Sequence, residues 1–375
     1  MKIALIITDY DSEAGIPKFT RILAESFSKK NDVHVFSNSF SKYKTDKIKF
    51  KRILKHTGRI PFFSNHVFFK TLFFAISSNI YCRKKDFDII LSPAGQTLRC
   101  DIVSAHGCYR VWRDIQKKEG KLKHQFDPVG LLVNELERQI YNNSKKIIAI
   151  SNWMKNEILE YYHIDKDKIL VISPGIDIHK YRFNIEKRRA IRKKLNLKAN
   201  ELVLVFSGRE FARKGVRYII DALPYLDCKL IVIGKADPYF YKKRASELGV
   251  NDKIIFTGFV EKIEDYYSAG DIFILPSLHE EFSQVSLEAL SSSLPVLITD
   301  VGGAKDVIEN GRNGFIIRRN KKDIVTKIRS ITPDKLNKMR KEARRSVLAY
   351  SFDEAAKKYL EVFEEVLINE NKKQK

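Results

Sequence analysis

Glu280 and Glu288 lie in a stretch unlike the rest of the chain. Residues 251–300 hold nine acidic residues and only two bases, Lys253 and Lys262, in a chain of net charge +23. Ionised carboxylates accept paired hydrogen bonds from neighbouring hydroxyls, the donor pattern of a ribose or a hexose. The apolar run Ile272–Leu275 before Pro276-Ser277 predicts a strand, and the residues through Leu287 to Leu290 predict a helix starting near Ser283. Such a helix start presents free N–H groups and a positive dipole end, suited to phosphate. One short segment can therefore hold sugar, ribose and phosphate together. Acids that merely favour a helix dipole would account for Glu280 and Glu281. They leave Glu288 unexplained, because it sits among apolar residues inside the helix.

Arg209 and Lys214 follow a second apolar run, Leu202–Phe206, through Ser207-Gly208. Two cations at a strand end can neutralise a departing diphosphate as its charge grows. A solvated basic loop is the plain alternative in so basic a chain. Gly15 closes the loop after the first strand, where a missing Cβ lets a phosphate approach the backbone. His106 ends the run Ile102–Ala105, placed to hydrogen-bond a sugar or leaving group, or to be a satisfied structural histidine. Asp9-Tyr10-Asp11 has the spacing of a shared metal site, but no further acid or histidine supports it, and a loop role is preferred. The chain has no GxGxxG, no GxxxxGK[ST] and no metal-spaced cluster.

Positioning these residues requires a particular scaffold. Apolar runs predict strands at Ile3–Ile7, Val33–Phe36, Ile89–Leu91, Ile102–Ala105, Ile147–Ile150 and Leu170–Ile172. A second series follows at Leu202–Phe206, Leu230–Ile233, Ile254–Phe256, Ile272–Leu275, Val296–Ile298 and Phe315–Ile317. Helical spacing lies between them, as in Phe19/Ile22/Leu23/Phe27. Strands without polar alternation, separated by helices, imply parallel sheets covered on both faces. The expected fold is α/β, with two doubly wound Rossmann-like domains facing across a cleft. The boundary is placed in the stretch 175–200, giving domains 1–175 and 176–350 and a final helix and tail over 351–375. Ser351 and Glu354 form a capping-box pattern for that helix, and Phe352, Ala356, Tyr359, Phe363 and Val366 line one face.

Taken together, these residues resemble the retaining glycosyltransferases of family 4, which have the two-domain GT-B fold. Ser207-Gly208-Arg209 with Lys214-Gly215 is similar to that family's GR-x4-KG signature, and Glu280 with Glu288 to its E-x7-E motif. Leu294-Pro295-Val296 and Gly302-Gly303 follow in order. Within the family the chain is most similar to the lipopolysaccharide core heptose glucosyltransferases. It departs from family usage at Ala14-Gly15, where two glycines are usual, at Ser283, where glycine is, and at Lys305-Asp306, where Pro-Glu is. The resemblance implies that Arg209 and Lys214 hold the donor diphosphate. It implies that Glu280 binds the donor sugar with help from Phe282 and Ser283, and that Glu288 binds the ribose. Gly15 would approach the phosphates, and His106 would lie beside the transferred sugar. It further implies a C-terminal helix that packs back on the N-terminal domain. No metal or other cofactor is implied, and the co-substrates are a nucleoside diphosphate sugar and a glycan or glycolipid acceptor.

Composition bounds the rest. The chain has 375 residues and 44% hydrophobic content, enough for two cored domains, and excludes collagen, coiled coil and bulk disorder. Four cysteines without a CxxC pair read as reduced thiols of a cytoplasmic protein. The run Lys2–Thr8 is too short for a signal peptide and is followed by Asp9 and Asp11. Lys70 divides the apolar stretch 60–82, leaving no spanning segment. The charge is spread: residues 1–175 carry 30 basic and 18 acidic residues. Basic residues concentrate at 42–59 and at 108–125, the latter with Tyr109 and Trp112. The second segment is expected to face an anionic membrane from the cytoplasmic side. The six Phe of 62–74 are expected to line a core helix. A nucleic-acid-binding protein would also be basic, but the charge forms no stripe and no recognition motif is present, so no nucleic acid is expected. A GT-B epimerase or phosphorylase is the nearer alternative.

Overall fold

The computed structural model describes residues 1–12, 15–53, 67–93, 95–118 and 128–374. The chain forms two compact units, Met1–Gly175 with Phe352–Lys375, and Ile176–Ser351. Each is a parallel sheet between helices, the α/β architecture that unbroken apolar strands require. The first unit contains β1 (Lys2–Ile6), β2 (Asp32–Ser37), β3 (Ile48–Arg52), β4 (Ile89–Pro93), β5 (Ile102–Ala105), β6 (Lys146–Ala149) and β7 (Ile169–Val171). Their order is β3-β2-β1-β4-β5-β6-β7. The second contains β8 (Val203–Ser207), β9 (Lys229–Ile233), β10 (Ile254–Gly258), β11 (Ile272–Leu275), β12 (Val296–Thr299) and β13 (Gly314–Ile317), in the order β10-β9-β8-β11-β12-β13. Every recorded strand pair is parallel, for example Leu5 beside Val35 and Phe273 beside Val296.

β3 is a strand that the apolar pattern did not announce. It falls in the basic segment 42–59, where Ile48 is buried while Lys49 and Lys51 are exposed. It pairs with β2 only, at the sheet edge, where alternating lysines are normal.

The C-terminal helix Phe352–Gln374 completes the first unit's core. Ala355, Ala356, Tyr359, Val362, Phe363 and Val366 join Phe19, Leu23 and Phe27 of the helix Gly15–Phe27. Phe27 meets Phe363 edge-on at 5.3 Å. In the second unit, the charged stretch expected at the boundary folds as the helix Ile185–Lys194. Arg188 and Arg192 reach the buried Asp271 at 2.7 Å each, and Arg340 reaches it at 3.1 Å. That cluster fastens the helix to the start of β11.

The Phe-rich segment is only partly a core helix. Within the helix Val67–Tyr81, Phe74 is fully buried, but Phe73, Ile76 and Ile80 are 45%, 43% and 61% exposed. Phe62 and Phe63 lie outside the described residues, as do Ala14, 54–59 and 119–125 of the segments discussed above. Among the described residues no helix is long and apolar enough to cross a membrane.

Candidate active site

β8 and β11 are neighbours whose chains leave in opposite directions along the sheet, β8 towards β9 and β11 towards β12. At such a switch point the crevice beyond the strands' carboxyl ends is where parallel sheets take ligands. The sequence sends its charged residues there. β8 continues through Gly208 and Arg209 into the short helix Phe211–Lys214, and β11 continues through Pro276 and Ser277 to Glu280.

The two turns are tied together by backbone. The Leu278 N–H donates to the Arg213 carbonyl at 2.8 Å. Arg319 donates to the carbonyls of Pro276, Ala212 and Arg213 at 3.1, 2.9 and 3.2 Å. Gly215 has φ of 80°, and a Cβ there would lie 2.1 Å from the Pro276 carbonyl oxygen. Gly302 has φ of 50°, and its Cβ would lie 2.2 Å from the Glu280 carbonyl oxygen. Glycine alone fits both places. These close approaches set Lys214 opposite Glu280.

Glu280 is buried. Its Oε1 accepts from Lys214 Nζ at 2.9 Å, Ser277 Oγ at 2.9 Å and Arg213 Nη1 at 3.3 Å. No described residue bonds its Oε2. An ammonium has three N–H donors, so Lys214 retains capacity for a second anion. Arg209 is exposed, with no hydrogen bond or ion pair to any described residue.

Glu288 is half-buried on the helix Gln284–Ser291. The buried Tyr267 hydroxyl donates to its Oε2 at 3.1 Å, and Tyr181 hydrogen-bonds it as well. Burial, reinforced by the Glu288 charge, drives both phenols far above their usual range, so both remain neutral donors. Tyr267 is also hydrogen-bonded to Ser207 at the end of β8. Phe282 is half-buried against the core, and Ser283 turns its hydroxyl to Ser286 at 2.7 Å instead of capping the helix. Lys305, at another departure from family usage, pairs with Asp300 at 2.5 Å.

Sequence reasoning missed the tyrosines and a pocket of about 420 Å³ beyond β9 and β10. Phe211, Gly234, Lys235, Asp237, Lys242 and Gly258 line it. It adjoins the Arg209–Lys214 turn, because Gly234 packs against the Gly208 carbonyl. Lys235 lies 4.9 Å from the ring centroid of Phe259, which is 62% exposed. The legible signal was a glycine at the end of each of two successive strands, with an aromatic residue after the second.

Gly15 and His106 belong to the first unit. Gly15 opens the helix Gly15–Phe27 with φ of 63°, and a Cβ there would meet nothing within 4 Å. Its dihedral, not crowding, calls for glycine. His106 is buried at the end of β5, its Nε2 lying 3.0 Å from Ser104 Oγ. Burial lowers its pKa to about 4, so the imidazole is neutral near pH 7. Asp9 and Asp11 shape a loop: Asp9 binds Ser39, and Asp11 accepts from the Ser41 and Lys42 N–H groups at 3.0 Å each. Among the described residues no three His, Cys, Asp or Glu side chains cluster as metal ligands.

Two family models divide the chain between them. Glycosyltransferase Family 4 matches residues 14–180, and Glycosyl transferases group 1 matches residues 187–346. Two Rossmann-like units, each matched by a glycosyltransferase family model, make up the GT-B architecture. Each half of the chain is thus similar to one of these two glycosyltransferase families. It is 30% identical over 181 residues to an uncharacterized glycosyltransferase of Methanocaldococcus jannaschii, covering 46% of each chain. It is 25% identical over 292 residues to the Escherichia coli UDP-Gal:alpha-D-GlcNAc-diphosphoundecaprenol alpha-1,3-galactosyltransferase, covering 71% of this chain and 72% of that one. The matches span about half the length of the first curated relatives, 46% and 44% of them. In fold it is similar to WaaG, a glycosyltransferase involved in lipopolysaccharide biosynthesis, with TM-score 0.74, 19% identity and coverage of 96% and 99%. It is likewise similar to Anabaena Alr3699/HepE in complex with UDP, with TM-score 0.75, 19% identity and coverage of 97% and 100%.

Proposed function

We propose that the protein transfers a hexose, glucose by resemblance, from a UDP-sugar to a lipid-linked or lipopolysaccharide-core glycan, retaining the anomeric configuration. The observation that carries this reading is the largely shielded Lys214–Glu280 pair at 2.9 Å, beside the exposed Arg209, which has no partner among the described residues, at the switch point between β8 and β11. Arg209 and the remaining Lys214 donors bind the diphosphate and stabilise it as charge grows on departure. Glu280 Oε2 takes a donor-sugar hydroxyl, with Phe282 and Ser283 shaping that end. Glu288, aimed by its two tyrosines, takes the ribose hydroxyls, and the pocket beyond β9 and β10 takes the base. Gly15 and His106 belong to the first unit and keep the roles that the family resemblance implies for them. The bond from the anomeric carbon to the phosphate oxygen breaks, and the acceptor oxygen bonds that carbon on the same face. The acceptor proton passes to the leaving phosphate. Arg209 and Lys214 fill the role of a metal in this scheme.

The donor assignment is supported by the Anabaena neighbour, solved with UDP, and by the E. coli relative, named for a UDP-sugar donor and a diphosphoundecaprenol acceptor. A peripheral location on the inner face of the cytoplasmic membrane is supported by the helix Tyr109–Lys118. It bears Arg110, Arg113 and Lys117, and a 45% exposed Trp112 stacked on Tyr109. Thermal denaturation with UDP, GDP and ADP, with and without EDTA, tests the donor class. At 100 times its Kd a ligand adds about 2.7 kcal/mol. A shift with UDP alone, insensitive to EDTA and lost in Glu288→Ala, is expected; a shift with none of the three overturns the reading. Sedimentation with phosphatidylglycerol vesicles, weakened in Trp112→Ala, tests the membrane face.

A further inference from the structure

The C-terminal half of the helix Val67–Tyr81 is apolar on two sides. One side faces the first unit. Phe74, Ala75 and Ser78 are buried there, with Cys82 just beyond, and Ser78 Oγ donates to Thr97 Oγ1 at 2.8 Å. Phe73, Ile76 and Ile80 stand at i, i+3 and i+7, within roughly 60° of one another around the axis. They are turned away from Phe74 and Ser78, and all three are exposed, as is Tyr81. A surface helix ordinarily puts polar residues on its outer face. A contiguous apolar stripe there marks a surface that meets another apolar body.

The rim of the stripe says which body. Lys51 of the edge strand β3 sets its Nζ 5.2 Å from the Tyr81 ring centroid. Arg83, Lys84 and Lys85 follow the helix, exposed, against the single acid Asp86. Lys84 is engaged by Asp101 at 2.9 Å. Lys51, Arg83 and Lys85 have no acidic partner among the described residues. A second copy docking about a two-fold axis brings the same patch to the contact, so these cations would meet their own kind. An anionic bilayer instead offers acyl chains to the stripe and phosphates to the rim. Fifteen residues rise about 22 Å. That is short of the ~30 Å hydrocarbon core, so such a helix lies along the surface.

We propose that this helix beds Phe73, Ile76 and Ile80 in the headgroup–acyl boundary of an anionic membrane, while Lys51, Arg83 and Lys85 bind lipid phosphates. The proposal rests on the reading that the protein works at a membrane surface. It adds an inserted apolar contact, separate from the helix Tyr109–Lys118.

A fluorescent label on the full-length protein reads the insertion. The native cysteines are buried, so Ile80→Cys is labelled selectively with a nitrobenzoxadiazole probe. With vesicles of phosphatidylcholine and phosphatidylglycerol, its emission is expected to shift to the blue and to be quenched by doxyl-labelled lipid. With phosphatidylcholine alone neither is expected. Ile76→Ser/Ile80→Ser should weaken sedimentation with the anionic vesicles roughly ten- to a hundred-fold. The thermal shift by UDP should be unchanged, showing a folded variant. Lys51→Gln/Arg83→Gln/Lys85→Gln should flatten the salt dependence of binding. A probe that stays wet, with native sedimentation of Ile76→Ser/Ile80→Ser, overturns the proposal and leaves the membrane reading to Trp112. Native protein that fails to sediment with anionic vesicles overturns both. A lipid-free dimer that dissociates in Ile76→Ser/Ile80→Ser assigns the stripe to a second copy and overturns the proposal.

Discussion

Lys214 and Glu280 have side chains 12% and 10% exposed, so each charge depends on the other. Removing one partner of such a pair commonly costs about 3–5 kcal/mol, whereas replacing both with apolar groups is often neutral. Glu280→Ala should therefore lower the unfolding free energy by about 3 kcal/mol and abolish turnover. The double variant Lys214→Met/Glu280→Leu should recover stability in urea but not activity; recovery of both would remove the pair from the mechanism. Tyr267→Phe takes one donor from Glu288 and should weaken UDP binding by about 1 kcal/mol, roughly fivefold, measured by calorimetry. His106 supplies a pH dependence. Its pKa falls from 6.5 to about 4 on folding, so protonation favours the unfolded chain. Its contribution is complete above pH 6.5 and is lost as pH falls towards 4, amounting to about 3 kcal/mol. The stability difference between the native protein and His106→Gln should shrink by that amount across the window. Of these residues, Glu280 and Glu288 were legible because acids stood where the chain is otherwise basic and apolar. Tyr181 and Tyr267 were not, because hydrogen bonds between distant segments leave no spacing to read.

The helix and strand termini show the same division between local and distant causes. Gly215 and Gly15 both have positive φ, but only Gly215 is crowded. Gly15→Ala should cost about 1–2 kcal/mol, the dihedral penalty alone. Gly215→Ala must also displace the Pro276 carbonyl, so it should cost more and should shift Lys214, visible as lost turnover in the fraction that stays folded. Chemical denaturation of the two variants distinguishes the cases. Buried strands such as β8 and β11 were plain in sequence because both sheet faces are covered, every position is buried and all but the terminal Ser207 are apolar. β3 was hidden because its lysines face water along an edge, and a basic segment and an edge strand look alike until a partner is known. The helix Val67–Tyr81 misled in the opposite direction. Its phenylalanines suggested interior, but composition does not say which face of a helix is covered.

At the scale of the chain, a helix from one end repairs a core begun at the other. Phe363→Ala should destabilise the first unit by about 3–5 kcal/mol. Ending the chain at Ser351 should expose the amides of β1, β2 and β5 to hydrogen exchange while those of β8 and β11 stay protected. Equal loss of protection in both units would show that they do not unfold separately. The same crossing has a consequence for how the protein is made. The first 175 residues leave the ribosome with the surface of Phe19, Leu23 and Phe27 still uncovered. Its cover, Phe352–Gln374, is synthesised only after Ile176–Ser351. At ~5–20 residues per second the nascent chain carries that greasy surface for roughly 10–35 s. Ile176–Ser351, made later but unbroken, can fold before it. Translation speed, and whatever shields emerging chains, therefore bear on the yield of this protein more than on one whose domains are finished in the order they are translated.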